Sequence, residues 1–190
     1  MTTYGLTQRS RAAQSMRTGA PTYFLLAFAI SWILVIAVVG IDGFPGTAAD
    51  FGALLPVVVL AMLAGPSVAG VVSTLLFQGR TGLRDLKQRL LHWRVGARWY
   101  AIALLTAPLT ALSVLTVLSL TSPVYRPGIF TTSNPALHLL LGAVTGIAAG
   151  LFEELGWTGF AVPRLRLRYN IFATGLMVGL MWGAWHLLAR

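Results

Sequence analysis

The sequence contains no cysteine, which excludes disulfides, thiolate metal sites and a cysteine nucleophile and leaves the redox compartment open. Charge is scarce as well. Of 190 residues 10% are charged and 56% are hydrophobic, and the mean hydropathy is +0.76. A water-soluble domain carries about 25% charged residues, so this chain, long enough for one domain, cannot cover a solvated surface. Acidic groups are rarest: Asp42, Asp50, Asp85, Glu153 and Glu154 stand against 14 basic residues, all arginine except Lys87, for a net charge of +9. Several motifs are also missing. There is no H-E-x-x-H zinc pair and no G-x-S-G serine, and without a G-x-x-x-x-G-K-[ST] phosphate loop the chain alone does not drive transport with ATP. No inverted repeat of the transporter kind is evident.

What the chain has is long apolar runs. Five stretches lack Asp, Glu, Lys and Arg: 18–41, 51–79, 99–125, 127–152 and 169–189. A spanning helix needs about 20 mostly apolar residues, so the runs predict helices near 21–41, 53–77, 98–120, 135–162 and 171–189. The fold class expected is all-α, a polytopic transmembrane bundle of about five spanning helices, with residues 1–20 as a basic cytoplasmic tail. A cleaved signal peptide fits poorly, because its apolar core is about 7 to 15 residues.

The basic residues alternate between loops, as cytoplasmic enrichment in Lys and Arg requires. Arg9, Arg11 and Arg17 precede the first run, and only Asp42 and Asp50 follow it. Six basic residues from Arg80 to Arg98 follow the second, Arg126 the third, and Arg164, Arg166 and Arg168 the fourth. This places the N-terminus in the cytoplasm of a bacterial plasma membrane and the C-terminus outside. Leu83, Leu86, Leu90 and Trp93 recur at helical spacing beside Arg84, Lys87 and Arg89, predicting an interfacial amphipathic helix on anionic headgroups. The expected partner is the lipid bilayer, not nucleic acid, because the charge is dispersed and no recognition motif accompanies it.

Ionisable groups inside a bilayer are costly and usually functional. Glu153 and Glu154 lie late in the fourth helix and His186 deep in the fifth, whereas His92 and His138 read as interfacial. Two adjacent carboxylates in a low dielectric do not both ionise cheaply, and one of them can then serve as a general base. The alternative is that the pair marks a helix end and meets Arg164 or Arg166. Gly142, Gly146 and Gly150, and Gly175, Gly179 and Gly183, form two small-xxx-small ridges expected to pack the helices closely. Straight antiparallel helices would put Glu153 roughly 16 Å and His186 roughly 27 Å from the arginine loop, a gap that tilt or a break at Gly156, Gly159 or Pro163 would close.

Glu153-Glu154-Leu155-Gly156-Trp157-Thr158-Gly159-Phe160, continuing to Pro163-Arg164-Leu165, resembles the first motif of the CAAX protease and bacteriocin-processing family, also called Abi. Trp182-Gly183-Ala184-Trp185-His186 resembles the second, at a family-like spacing, and Gly65-Pro66-Ser67-Val68-Ala69-Gly70 and the stretch from Gly82 to Val95 resemble its bacterial members. The resemblance implies an intramembrane endopeptidase. Glu153 would activate water, Glu154 would tune the pair, and His186 would bind a divalent metal such as zinc or orient the water. Trp182, Thr158 and Arg164 would support them. Thr158 stands where the family usually has arginine. The family's third motif, a histidine followed four residues later by asparagine or aspartate, has no counterpart before Arg190, so 21–190 is read as a C-terminally incomplete domain. The expected partner is a membrane-associated protein or peptide substrate; the oligomeric state stays open. Two alternatives remain: an inactive or truncated relative acting as an immunity or partner-binding protein, and a small proton-coupled transporter subunit.

Overall fold

A computed structural model describes residues 3–188 apart from Phe44, and side chains from Gly19 to Leu187. Among these residues the fold is helical without strands. The helices are α1 (Thr3–Val39), α2 (Ala48–Phe51), α3 (Leu55–Leu90), α4 (Ala97–Ser119), α5 (Pro135–Glu154), α6 (Val162–Leu165) and α7 (Ile171–Trp185). Four described segments are long and apolar enough to cross a membrane, Gly19–Val39, Ala48–Leu90, Ala97–Ser119 and Pro135–Leu165. The fifth expected helix is shorter: α7 has 15 residues and passes at His186 into a 3-10 turn, and Ala189 lies outside the described residues. The side chains of the basic tail, 1–18, also lie outside them.

The chain divides into two units, one comprising the segments up to Lys87 and from Ala149 onward, the other Gln88–Ala148. In the second unit, Gly96 precedes α4, and Arg94 and Arg98 stack on Trp93 and Trp99 at 5.3 and 5.2 Å. Asn134 Oδ1 accepts from Leu137 N at 3.1 Å and so caps the start of α5.

The first unit is held by close backbone approach. A Cβ on Gly65 would collide with Ser31 Oγ and the Ala27 carbonyl, and one on Gly70 would lie 2.8 Å from Gly156 Cα. α1 and α3 therefore meet at a glycine, and α3 meets the end of α5 at a pair of them. Around this contact sit Tyr23, Trp157, Phe160 and Trp185, all buried. Ring centroids are 5.5 Å apart for Tyr23 and Trp157 and 6.0 Å for Trp157 and Trp185, both edge-on, the arrangement aromatic quadrupoles favour.

The fourth helix is not continuous over 135–162. It stops at Glu154 and resumes through a wide turn, Trp157–Ala161, in which Ala161 N donates to Gly156 O at 2.9 Å. Such five-residue turns concentrate at functional sites. Pro163 has no N–H with which to continue α-helical pairing. At the break, Ser67 Oγ donates to Phe152 O at 2.6 Å, supplying a carbonyl that the interrupted ladder leaves over.

Two other expectations are corrected. The amphipathic segment continues α3 after a kink at Gly79, whose φ is +65°, a conformation open to glycine; the helix ends at Leu90, so Trp93 is beyond it. Its Leu86 is buried against Gly159, where an added Cβ would come within 2.9 Å. Within the first unit the expected glycine ridge of α7 does not pack: none of Gly175, Gly179 and Gly183, nor Gly150 of α5, has a neighbour within 4 Å of an added Cβ among the described residues. α7 instead turns Thr174, Val178, Met181 and Trp185 inward, a row that begins one residue earlier and steps by four, three and four.

These contrasts separate two kinds of glycine. Gly156→Ala should lower the unfolding midpoint in detergent by an amount equivalent to about 1–3 kcal/mol, the cost of overpacking. Gly179→Ala should be neutral or stabilising by up to about 1 kcal/mol through helix propensity. Equal effects of the two substitutions would contradict the packing described.

Candidate active site

The break in α5 leaves Glu153 on the last turn before the helix ends, and the short α7 brings His186 to its C-terminal end. Both are half-buried and line one cavity of about 280 Å³. Its other walls are apolar: Leu55, Val58 and Met62 of α3, and Phe51 of α2. Thr47 and Asp50 form a capping box that starts α2, with Thr47 N donating to Asp50 Oδ2 at 2.8 Å, and this places Phe51 on the wall. Glu153 and His186 thus meet at one cavity despite the difference in depth expected of two straight helices.

Polar contacts fix both groups. Trp182 Nε1 donates to Glu153 Oε2 at 2.6 Å, so one carboxylate oxygen is held and Oε1 is left for other chemistry. His186 Nδ1 lies 2.9 Å from Trp182 O. A carbonyl only accepts, so Nδ1 carries the proton, and in the neutral imidazole the lone pair is then on Nε2. The ring is also confined edge-on between Trp182 and Trp185, with centroid distances of 4.4 and 4.5 Å.

Behind His186, Trp185 is anchored through a buried hydroxyl. Trp185 Nε1 donates to Ser31 Oγ at 2.8 Å, and Ser31 Oγ donates to Met62 O at 2.6 Å. Trp32 Nε1 donates to Trp185 O at 3.2 Å. One serine on α1 therefore ties α3 and α7 together next to the histidine.

The remaining predicted residues have different places. Glu154 is exposed and does not line the cavity. Thr158 Oγ1 donates to Glu154 O at 3.1 Å, so it secures the backbone at the break. Arg164 is 7% exposed, with its guanidinium 4.0 Å above the Phe160 ring, and Arg166 Nη1 donates to Tyr169 O at 2.8 Å. His92 and His138 belong to the second unit, where His138 Nδ1 meets Thr132 Oγ1 at 2.9 Å. Sequence reasoning missed Ser31 and met Ser67 only as part of the stretch from Gly65 to Gly70 that resembles the family's bacterial members. Trp185 had a signal as part of the motif from Trp182 to His186; Ser31, one hydroxyl in an apolar run, had none.

Among the described residues no three His, Asp or Glu side chains gather as a metal site. The cavity offers one carboxylate and one imidazole, whereas catalytic zinc takes three protein ligands. These donors alone do not fit a zinc centre.

A family profile described as Type II CAAX prenyl endopeptidase Rce1-like matches residues 135–189, which include Glu153, Glu154, Trp182 and His186. Over 179 residues the chain is 29% identical to CAAX prenyl protease 2 of Methanococcus maripaludis, a match covering 86% of this chain and 60% of that protein. No solved structure matches the chain. The resemblance to the CAAX protease and bacteriocin-processing family is thereby borne out.

The Ser31 junction makes a quantitative expectation. Ser31→Ala and Trp185→Phe should each destabilise the protein by about 1–2 kcal/mol, because each leaves a buried polar group without its partner. Their effects should fall short of additive in a double-mutant cycle; full additivity of the unfolding midpoints would show that the two side chains act independently.

Proposed function

We propose that the chain carries the glutamate and histidine of an intramembrane endopeptidase site, in which Glu153 activates a water to hydrolyse a peptide bond near the membrane. The observation that carries this reading is the placement of Glu153 and His186 on the wall of one apolar cavity, each held by Trp182. The family profile over the same residues supports it.

In this reading a water in the cavity donates one hydrogen bond to Glu153 Oε1 and the other to His186 Nε2. Glu153 takes the proton as the water oxygen bonds to the scissile carbonyl carbon, and returns it to the amide nitrogen as the C–N bond breaks. The low dielectric strengthens the pull of the carboxylate on the water. Glu154 adds negative potential from outside the cavity. No step uses a metal. The substrate is a membrane-associated protein or peptide; the archaeal relative's name specifies a prenyl substrate for that protein.

The arginine pattern supports a cytoplasmic N-terminus, with the loop after α1 on the outer face. The Glu153 cavity, beside α2, then faces away from the arginine loop. Because the chain lacks cysteine, single substitutions can report this. With an impermeant maleimide, Asp42→Cys should label in intact cells and Gln88→Cys only after permeabilisation. The reverse pattern would invert the topology.

For the chemistry, Glu153→Gln should reduce cleavage of a membrane-presented peptide roughly 10²- to 10⁴-fold with little change in unfolding midpoint. His186→Ala should also lose activity. Trp182→Phe should retain some, falling about tenfold or more for one lost hydrogen bond to a charged group. Parental cleavage by both Glu153→Gln and His186→Ala would refute the assignment.

A further inference from the structure

A second cavity, of about 420 Å³, opens in the first unit away from Glu153 and His186. Its volume falls within the roughly 300–1,000 Å³ of small-molecule sites. Phe24 of α1, Leu165 of α6, and Met177 and Met181 of α7 give it apolar walls, and Arg164 and Arg168 line it as well. Among the described residues none that lines it is acidic.

The cavity has a polar end and an apolar end. Arg164, Arg168 and Tyr169 belong to the basic loop and the short helix before it, whereas Met177 and Met181 lie farther along α7. At 1.5 Å per residue, Met181 is about 15 Å along the axis from the start of α7. Arginine and tyrosine are the side chains that settle at headgroup level, with apolar bodies and polar tips. The three arginines of this segment differ in their engagement. Arg166 holds the loop through the Tyr169 carbonyl, and Arg164 is fixed over Phe160. Arg168, exposed to solvent, completes the polar end.

A neutral hydrocarbon would use the apolar walls but not the exposed guanidinium of Arg168, and a free anion would use the guanidinium but not the walls. We propose that this cavity binds one anionic phospholipid, its phosphate against Arg168 and an acyl chain along Phe24, Met177 and Met181. The site is separate from the carboxylate cavity and does not depend on the hydrolytic reading.

The test uses the full chain in mild detergent, titrated with phosphatidylglycerol, with phosphatidylcholine of the same acyl chains, and with inorganic phosphate. Native mass spectrometry should show one phosphatidylglycerol retained per chain in preference to phosphatidylcholine. Tm should rise with phosphatidylglycerol and not with phosphate. Arg168→Gln, at an exposed position, should weaken retention about fivefold, the share of one basic residue near an anionic surface. Met177→Trp should abolish retention by filling the apolar end. Arg84→Gln, in the amphipathic segment, should leave it unchanged. Equal retention of phosphatidylcholine would overturn the proposal, as would a Tm rise with phosphate alone. So would equal weakening by Arg84→Gln and Arg168→Gln, or undiminished retention by a folded Met177→Trp variant. If Met177→Trp does not fold, Arg168→Gln decides.

Discussion

Between α3 and the broken end of α5 there is no room for a side chain. A Cβ on Gly70 would press on Gly156 Cα and the Leu155 carbonyl, and one on Gly156 would overlap the Pro66 carbonyl and the Tyr23 hydroxyl. Inside a bilayer, a helix can be interrupted only where neighbouring protein supplies the lost hydrogen bonds. Here the close approach allows it, because Ser67 comes near enough to donate to Phe152 O. The interruption sets where Glu153 faces, and the aromatic cluster of Tyr23, Trp157, Phe160 and Trp185 fills the space beside it. The placement of the carboxylate thus rests on two residues that have no side chain.

Second in importance is a single buried hydroxyl. Ser31 accepts from Trp185 and donates to Met62, so both its capacities are used in one direction. Polar groups in apolar surroundings are costly when unpaired and specific when paired. The serine joins three helices at one point, and the indole it holds forms one side of the slot around His186. Trp182 forms the other side and reaches Glu153. The two tryptophans of the second motif therefore have separate tasks, one directed at the scaffold and one at the carboxylate.

The all-helical membrane class was readable from the residues alone, and Glu153 and His186 stood out as candidates, because apolar run length and the cost of intramembrane charge are local properties; the break near Gly156 was only one of several ways left open to bring them to one depth. The inward face of α7 was not. Gly175, Gly179 and Gly183 make one row at helical period, and Thr174, Val178, Met181 and Trp185 make another rotated by about 100°. Both satisfy the same periodicity, and only tertiary contact chooses between them. Ser31 was unreadable for a similar reason: its role depends on a tryptophan 154 residues away. Leu86 was read as facing lipid, but the bend at Gly79 brings it to Gly159, and a run of helical spacing does not reveal a bend.

The wide turn at Trp157–Ala161 also bears on how this segment tolerates changes in length. It holds one residue more than an α-helical turn, closed by the longer bond from Ala161 N to Gly156 O. Deleting a single residue there would return the backbone to regular α-helix, and because both kinds of turn make about one revolution, Arg164 and the residues around it would keep nearly their direction relative to Glu153. In a regular helix the same deletion would rotate everything beyond it by about 100°. The turn therefore absorbs a change of one residue that the rest of the helix would pass on to the basic loop.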